Sequence, residues 1–310
     1  AETTNITALN VAFRAGDGVG TDADNINTAS LTGQTLTIAV ETESGDVNIL
    51  NVGSLTVGTV DALSGVTITD ADTDDTGNDN ITLIASSPLT VNQSITNADG
   101  GDITLTATND GGADDLTISA AVTATGGNGA IDLNAGRDLI VNNDVVVSTV
   151  GAGNITGDAV RAIDILSNAA TTTIQSVSGN ITLTANRGGA AVTGDFTGIS
   201  IDDAIVTATT GNISLDGRGG DTAGTNRGIA LTSGTVVSTT GAGSGTITFD
   251  GDGVSGGGDG IFIDGTGTQV TSVDGNIILT GDGVDADGVG IRGGAVVSST
   301  GNATITLIGN

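Results

Sequence analysis

The chain has 310 residues, with 7 Lys+Arg against 36 Asp+Glu for a formal charge of −29, 52 Gly, one Pro and four aromatics, all Phe. It contains no His, Cys or Lys, which removes imidazole bases and Ser-His-Asp triads, ordinary zinc, haem and iron–sulfur sites, and lysine Schiff bases or phosphate-binding lysines. The negative charge and scarcity of aromatics argue against nucleic acid as a partner, and no apolar run reaches the ~20 residues of a membrane helix, so no membrane insertion is expected.

Residues 1–44 repeat least clearly and read as an irregular N-terminal segment: a cap, an assembly segment, a differently paired segment or decayed coils. Residues 45–310 carry a recurring phrase. It appears as Gly101-Asp102-Ile103-Thr104-Leu105, Gly129-Ala130-Ile131-Asp132-Leu133, Gly179-Asn180-Ile181-Thr182-Leu183 and Gly211-Asn212-Ile213-Ser214-Leu215. It returns as Gly245-Thr246-Ile247-Thr248-Phe249, Gly275-Asn276-Ile277-Ile278-Leu279 and, less perfectly, from Gly301. With Gly153 included, the leading glycines lie 28, 24, 26, 32, 34, 30 and 26 residues apart. Periods of this length mark a solenoid.

Within each repeat, three short apolar alternations follow in fixed order. The coil from Gly179 has Ile181, Leu183 and Ala185, then Ile199 and Ile201, then Val206 and Ala208. The next two third segments are expected to turn Val236 with Ser238, and Val270 with Ser272, inward. Period two places each set on one face of a strand, and the abundance of Gly, Thr, Ser and Asn disfavours helix. The expected fold is all-β: a single-stranded parallel β-helix with three short strands per coil. From Asp79, in the glycine register one coil before Gly101, to Gly301 is 222 residues over eight coils, or 27.75 each. The chain then holds roughly eleven coils and rises about 50 Å, with the right hand that parallel crossovers favour. A narrow core of stacked Ile, Leu, Val and Ala explains the few aromatics. From Gly179 onward the connection after the first strand lengthens and fills with Gly and Asp.

The phrase Ala130-Ile131-Asp132-Leu133-Asn134-Ala135-Gly136-Arg137-Asp138-Leu139-Ile140-Val141 resembles the repeats of filamentous-haemagglutinin-like exoproteins, bacterial surface β-helices related to autotransporter passengers. Gly101–Ala107 and Gly179–Ala185 have the same character. The resemblance implies a secreted adhesive or structural β-helix at the cell surface and carries over no catalytic residue.

Two acidic sets are candidate cation sites. Asp70, Asp72, Asp74, Asp75 and Asp79 alternate through a turn-like stretch in the manner of calcium loops, which wrap a hard cation in oxygen ligands; the competing reading is a solvated acidic turn. Asp250, Asp252, Asp259, Asp282, Asp285 and Asp287, with Asp216 and Asp221 before them, fall in the same connection of successive coils. Stacking makes them an acid ladder that attracts cations or serves solubility. Phe262 is expected to point outward between inward Ile261 and Ile263, as a lone surface apolar residue equivalent to Ser200, Ala230 and Arg292. Asp202-Asp203 matches the paired carboxylates of a glycosidase only in residue type.

The sequence stops after one strand of a new coil, Gly301–Asn310, which reads either as a fragment of a longer chain or as an open end that pairs with the start of another copy. Open strand edges invite pairing, and head-to-tail contact of this kind yields a fibre. The expected function is therefore an extracellular structural β-helix that forms or contributes to a fibre by head-to-tail stacking, with acidic loops that bind calcium. The alternative is a surface adhesin segment that binds a glycan or host protein. A polysaccharide-cleaving enzyme is the remote third reading, and no enzymatic activity is expected.

Overall fold

The computed structural model describes residues 4–21, 23–69, 78–108, 111–168 and 171–310. It is all-β, with no helix among the described residues, and its strands pair in parallel from coil to coil into a solenoid. One coil shows how the sequence does this. Ile181–Ala185 forms the first face, Ile199–Asp202 the second and Ile205–Ala208 the third. Each pairs in parallel with the equivalent strands of the coils on either side. Alternate residues turn inward, so Ile181, Leu183, Ile199, Ile201 and Val206 are fully buried while the residues between them are not.

The third face is built from Val66–Ile68, Ile95–Asn97, Val122–Ala124, Val146–Thr149 and Thr173–Ser176, then Ile205–Ala208, Val236–Thr239, Gln269–Ser272 and Val296–Ser299. Those nine, with parts of Asn10–Val19 and Thr35–Val52 before them, give eleven layers on this face. Parallel pairing thus extends into residues 1–44. Ile6–Ala8 pairs with Ile26–Ser30, and Asn10–Val19 pairs with Thr35–Val52. Thr35–Val52 is a single 18-residue strand that serves all three faces in turn, pairing successively with Ser54–Val57, Val66–Ile68 and Ile81–Ala85. It bends at Gly45, whose φ of 76° lies in the left-handed region that glycine enters without strain.

The core is the expected column of aliphatic side chains. The first-face column Leu105, Leu133, Gly157, Leu183, Leu215, Phe249, Leu279 runs in register, and Phe249 is the one aromatic within it. Three assignments made from the sequence shift by one or two residues. Val237 and Thr239, not Val236 and Ser238, occupy the inward positions, because Val237 pairs with Val206 and Val270. Adjacent valines satisfy either alternation, and only the register decides. In the last coil Ala303 takes the glycine position, since Ile305 pairs with Ile277 and Ala303 lies two residues before it. The equivalent of Phe262 in the following coil is Gly290, with Arg292 paired to Asp264.

Candidate functional site

The corner where the third face meets the first explains the recurring phrase. A Cβ added at Gly101 would lie 2.0 Å from the Asp79 carbonyl oxygen, one at Gly129 2.1 Å from that of Gly101, and one at Gly179 1.8 Å from that of Gly153. Gly211 and Gly275 stand in the same relation to Gly179 and Gly245, both at 1.8 Å. The coils approach so closely here that only a residue without a side chain passes through most of the column. Asp79 and Ala303 are exceptions in this stack, and the Asp79 carboxylate accepts the Gly45 amide at 2.5 Å.

The next residue of the phrase builds a second column. The Asn80 amide donates to Asp46 Oδ1 at 2.8 Å, that of Asp102 to Asn80 Oδ1 at 2.8 Å, and that of Ala130 to Asp102 Oδ1 at 2.7 Å. The series resumes with Asn180 on Asn154, Asn212 on Asn180, Thr246 on Asn212 and Thr304 on Asn276, all at 2.8 to 2.9 Å. A side-chain oxygen one layer down thus receives each amide that the turn leaves without a strand partner. Asn or Asp recurs at this position for that reason. The ladder was missed in the sequence because its members look like ordinary polar turn residues.

Buried polar side chains pin the same corner and also escaped notice. Asn97 Nδ2 donates to the carbonyls of Asp79 at 2.7 Å and Gly101 at 3.0 Å, and the Thr149 and Ser176 hydroxyls donate to those of Gly153 and Gly179 at 2.7 and 2.9 Å. A polar residue interrupting the inward apolar period at a strand end was the available signal.

The corner between the first and second faces carries the charge. Asp216 pairs with Asp250 and Asp252 with Asp282 between successive first-face strands, so these four sit on strands rather than in the connections. Arg187 reaches across two coils to engage Asp216, Asp250 and Asp252, with Nη2 3.4 Å from Asp250 Oδ1 and 2.9 Å from the Asp250 carbonyl. On the edge leading into the second face, register stacks Arg137, Arg161, Thr197, Arg227, Asp259 and Asp287. Arg137 forks onto Asp115 and Arg161 onto Asp138. Asp259, which is buried, receives Arg227 Nε at 3.3 Å and Arg292 Nη2 at 3.0 Å. Arg292 also reaches Asp287.

The eight carboxylates of the acid ladder therefore divide. Asp216, Asp250, Asp252, Asp259 and Asp287 are held by arginine and Asp221 accepts the Thr193 hydroxyl and the Gly194 amide, while Asp282 and Asp285 are exposed with no ion pair among the described residues. Among the described residues no three carboxylates gather into a group that could hold a metal ion. Of the other acidic set, Asp70, Asp72, Asp74 and Asp75 lie outside the described residues; Asp79 is occupied as above.

Phe262 points away from the core, yet it is only 8 % exposed and so is not a lone surface residue. The Arg227 guanidinium carbon lies 3.7 Å from its ring centroid and that of Arg292 5.3 Å. Two cations held by Asp259 thus roof the ring, in the arrangement that favours cation–π attraction. Arg227 lies well before Phe262 in sequence and Arg292 well after, so residue type alone did not reveal the cover. Asp202 accepts the Thr232 hydroxyl at 2.7 Å, and Asp203 forms the adjacent turn with φ 54°. Each has a structural task.

No family model matches the chain, and neither curated proteins nor solved structures give a significant match.

Arg187, Asp216, Asp250, Asp252 and the Asp259 cluster join coils far apart in sequence, and the glycine and carboxamide columns fix the coil register. These columns align and clamp a long stack.

Proposed function

We propose that this protein is an extracellular structural β-helix that forms, or contributes to, a fibre through head-to-tail stacking of coils, in the manner of the filamentous-haemagglutinin-like exoproteins whose repeats it resembles. One observation carries the reading. Successive coils pair in parallel in one register, first face on first and third face on third, through eleven layers of the third face, so each coil presents the edge on which another coil of the same geometry pairs. Ile305 and Leu307 hold the core register of this stack against Ile277 and Leu279, so charge placed there disrupts stacking.

The test is negative-stain microscopy with sedimentation of the chain and of an Ile305→Asp/Leu307→Asp variant. Elongated end-to-end particles from the parent chain that vanish in the variant support the reading; dispersed single particles from both at high concentration overturn it. Calcium belongs to this proposal at the stretch from Asp70 to Asp79. A calcium-dependent rise in melting temperature that is lost in Asp72→Asn/Asp74→Asn supports a site there, and equal melting with calcium and with chelator removes it.

A further inference from the structure

The third face differs from the other two in its chemistry. Its nine strands from Val66–Ile68 to Val296–Ser299 contain no Asp, Glu, Lys or Arg, in a chain whose net charge is −29. The first face carries Asp132, Asp158, Asp216 and Asp250 at outward positions, and the second carries Asp164, Asp202 and Asp264. Charge on exposed sheet faces keeps such proteins apart. Nine successive layers without any, beyond the two that carry the exposed Arg14–Glu41 ion pair, are the exception that calls for a role.

We infer that this face is a lateral interface that takes the same face of a second copy of the chain, sheet against sheet. Its middle outward column is mostly hydroxyl and continuous: Thr96 and Thr123, then Ser148, then Thr207 and Ser238, interrupted once by Gln175. Parts of it are bonded along the column, Thr123 to Thr96 at 3.3 Å and Ser238 to Thr207 at 3.1 Å. Hydroxyls already partnered lose less when water is removed. Apolar side chains flank the column, with Val150, Val177 and Val296 at 37, 46 and 46 % exposure. A shallow groove of about 230 Å³ runs beside Val150 and Val177.

The dimensions suit a weak dimer. Nine layers span about 38 Å, and the strands of three or four residues, with the flanking residue that Val150 and Val177 represent, are about 13–16 Å wide. That gives about 500–600 Å² per copy and about 1,000–1,200 Å² in all, the low end of interfaces that hold a weak pair. A glycan is the poorer occupant, because sugar recognition draws on aromatic platforms and this face has none. Asp99, Asp144, Asp203 and Asp274 stand in the turns that border these layers. In a face-to-face pair these rims repel, and salt screens the repulsion. Association through this face therefore strengthens with ionic strength. The interface is independent of the end-to-end stacking proposed above.

The experiment is sedimentation of the full chain carrying Ile305→Asp/Leu307→Asp, which blocks end-to-end stacking, at about 100 μM in about 20 mM and about 500 mM NaCl, where the Debye length falls from above 20 Å to about 4 Å. The expected result is a mass rising from one chain toward two with salt. Thr207→Asp abolishes the rise, as does Thr207→Lys alone, and a mixture of the two variants recovers pairing at low salt. The Thr207 variants are made in the same Ile305→Asp/Leu307→Asp background, so any remaining association is lateral. A single-chain mass in both salts overturns the inference, as does association that survives Thr207→Asp. Polysaccharide binding by a monomeric chain that is lost in Thr207→Asp also overturns it, and assigns the face to a glycan instead.

Discussion

Replacing Gly179 by Ala places a methyl group 1.8 Å from the Gly153 carbonyl oxygen, 2.3 Å from its carbon and 2.8 Å from the Asn154 nitrogen. All three are backbone atoms, so no rotamer change relieves the contact. To reach an ordinary 3.4 Å, the two coils must part locally by more than 1 Å of their ~4.8 Å spacing. Two bonds cross that gap: the Asn180 amide to Asn154 Oδ1 at 2.8 Å, and the Ile155 amide to the Asn180 carbonyl at 2.8 Å. Losing both costs about 1–3 kcal/mol, and the residual strain of overpacking adds about 1–3 kcal/mol. The expected destabilisation is thus about 2–6 kcal/mol. Gly188→Ala is the control, because its added Cβ meets nothing within 4 Å and its φ is ordinary; it is expected to be neutral or to stabilise by up to about 1 kcal/mol. Urea denaturation measures the difference. Hydrogen exchange at Ile155 and Asn180 localises it, which matters because a solenoid need not unfold in one step. Equal stability of the two alanine variants would refute the close-approach explanation of the glycine column.

In the carboxamide ladder, Asn212→Ala is expected to cost about 0.5–1.5 kcal/mol and to speed exchange of the Thr246 amide, while Asn212→Asp retains protection because Asp46 and Asp102 already accept such bonds. Phe262→Ala removes the ring beneath Arg227 and Arg292; the lost stacking, about 0.5–2 kcal/mol, adds to the lost burial and appears as a lower melting temperature. Burial, and then the neighbouring Asp138, push the Asp164 carboxyl above its usual range, with Arg161 opposing. The native state therefore binds the extra proton between the unfolded and folded values, and stability falls as pH rises through that window. Asp164→Asn is expected to raise the melting temperature near pH 7, with the gain vanishing below about pH 3.8, the unfolded value; a gain independent of pH would rule out ionisation as its cause.

The three-faced coil was legible because Ile181, Leu183, Ile199 and Ile201 alternate without ambiguity and Gly179 marks where they begin. Legibility failed where chemistry permits two registers. Val236-Val237 fits either alternation, and the glycine at 301 drew attention from Ala303. The acid ladder was read as carboxylates alone because the arginines that meet it lie elsewhere in the chain. Arg187 and Asp252 are 65 positions apart, a separation set by the sum of two unequal coils. Phe262 was read as exposed for the same reason, its cover being Arg227 and Arg292. Residues 10–44 concealed their coils because Thr35–Val52 turns its corners within one strand instead of at repeated turns.

The carboxamide ladder has a mechanical consequence. Each rung hands one bond to the next coil, but Ala130 carries no acceptor and Thr246 passes no such bond to Asn276 among the described residues. The column is thus divided into three runs, Asp46 to Ala130, Asn154 to Thr246, and Asn276 onward. At each joint the tie moves a residue or two upstream, the Ala152 amide onto Asn128 Oδ1 at 2.8 Å and the Gly275 amide onto Ser244 Oγ at 3.1 Å, so the seam between coils stays fastened along its length, as a rope carries load through its splices.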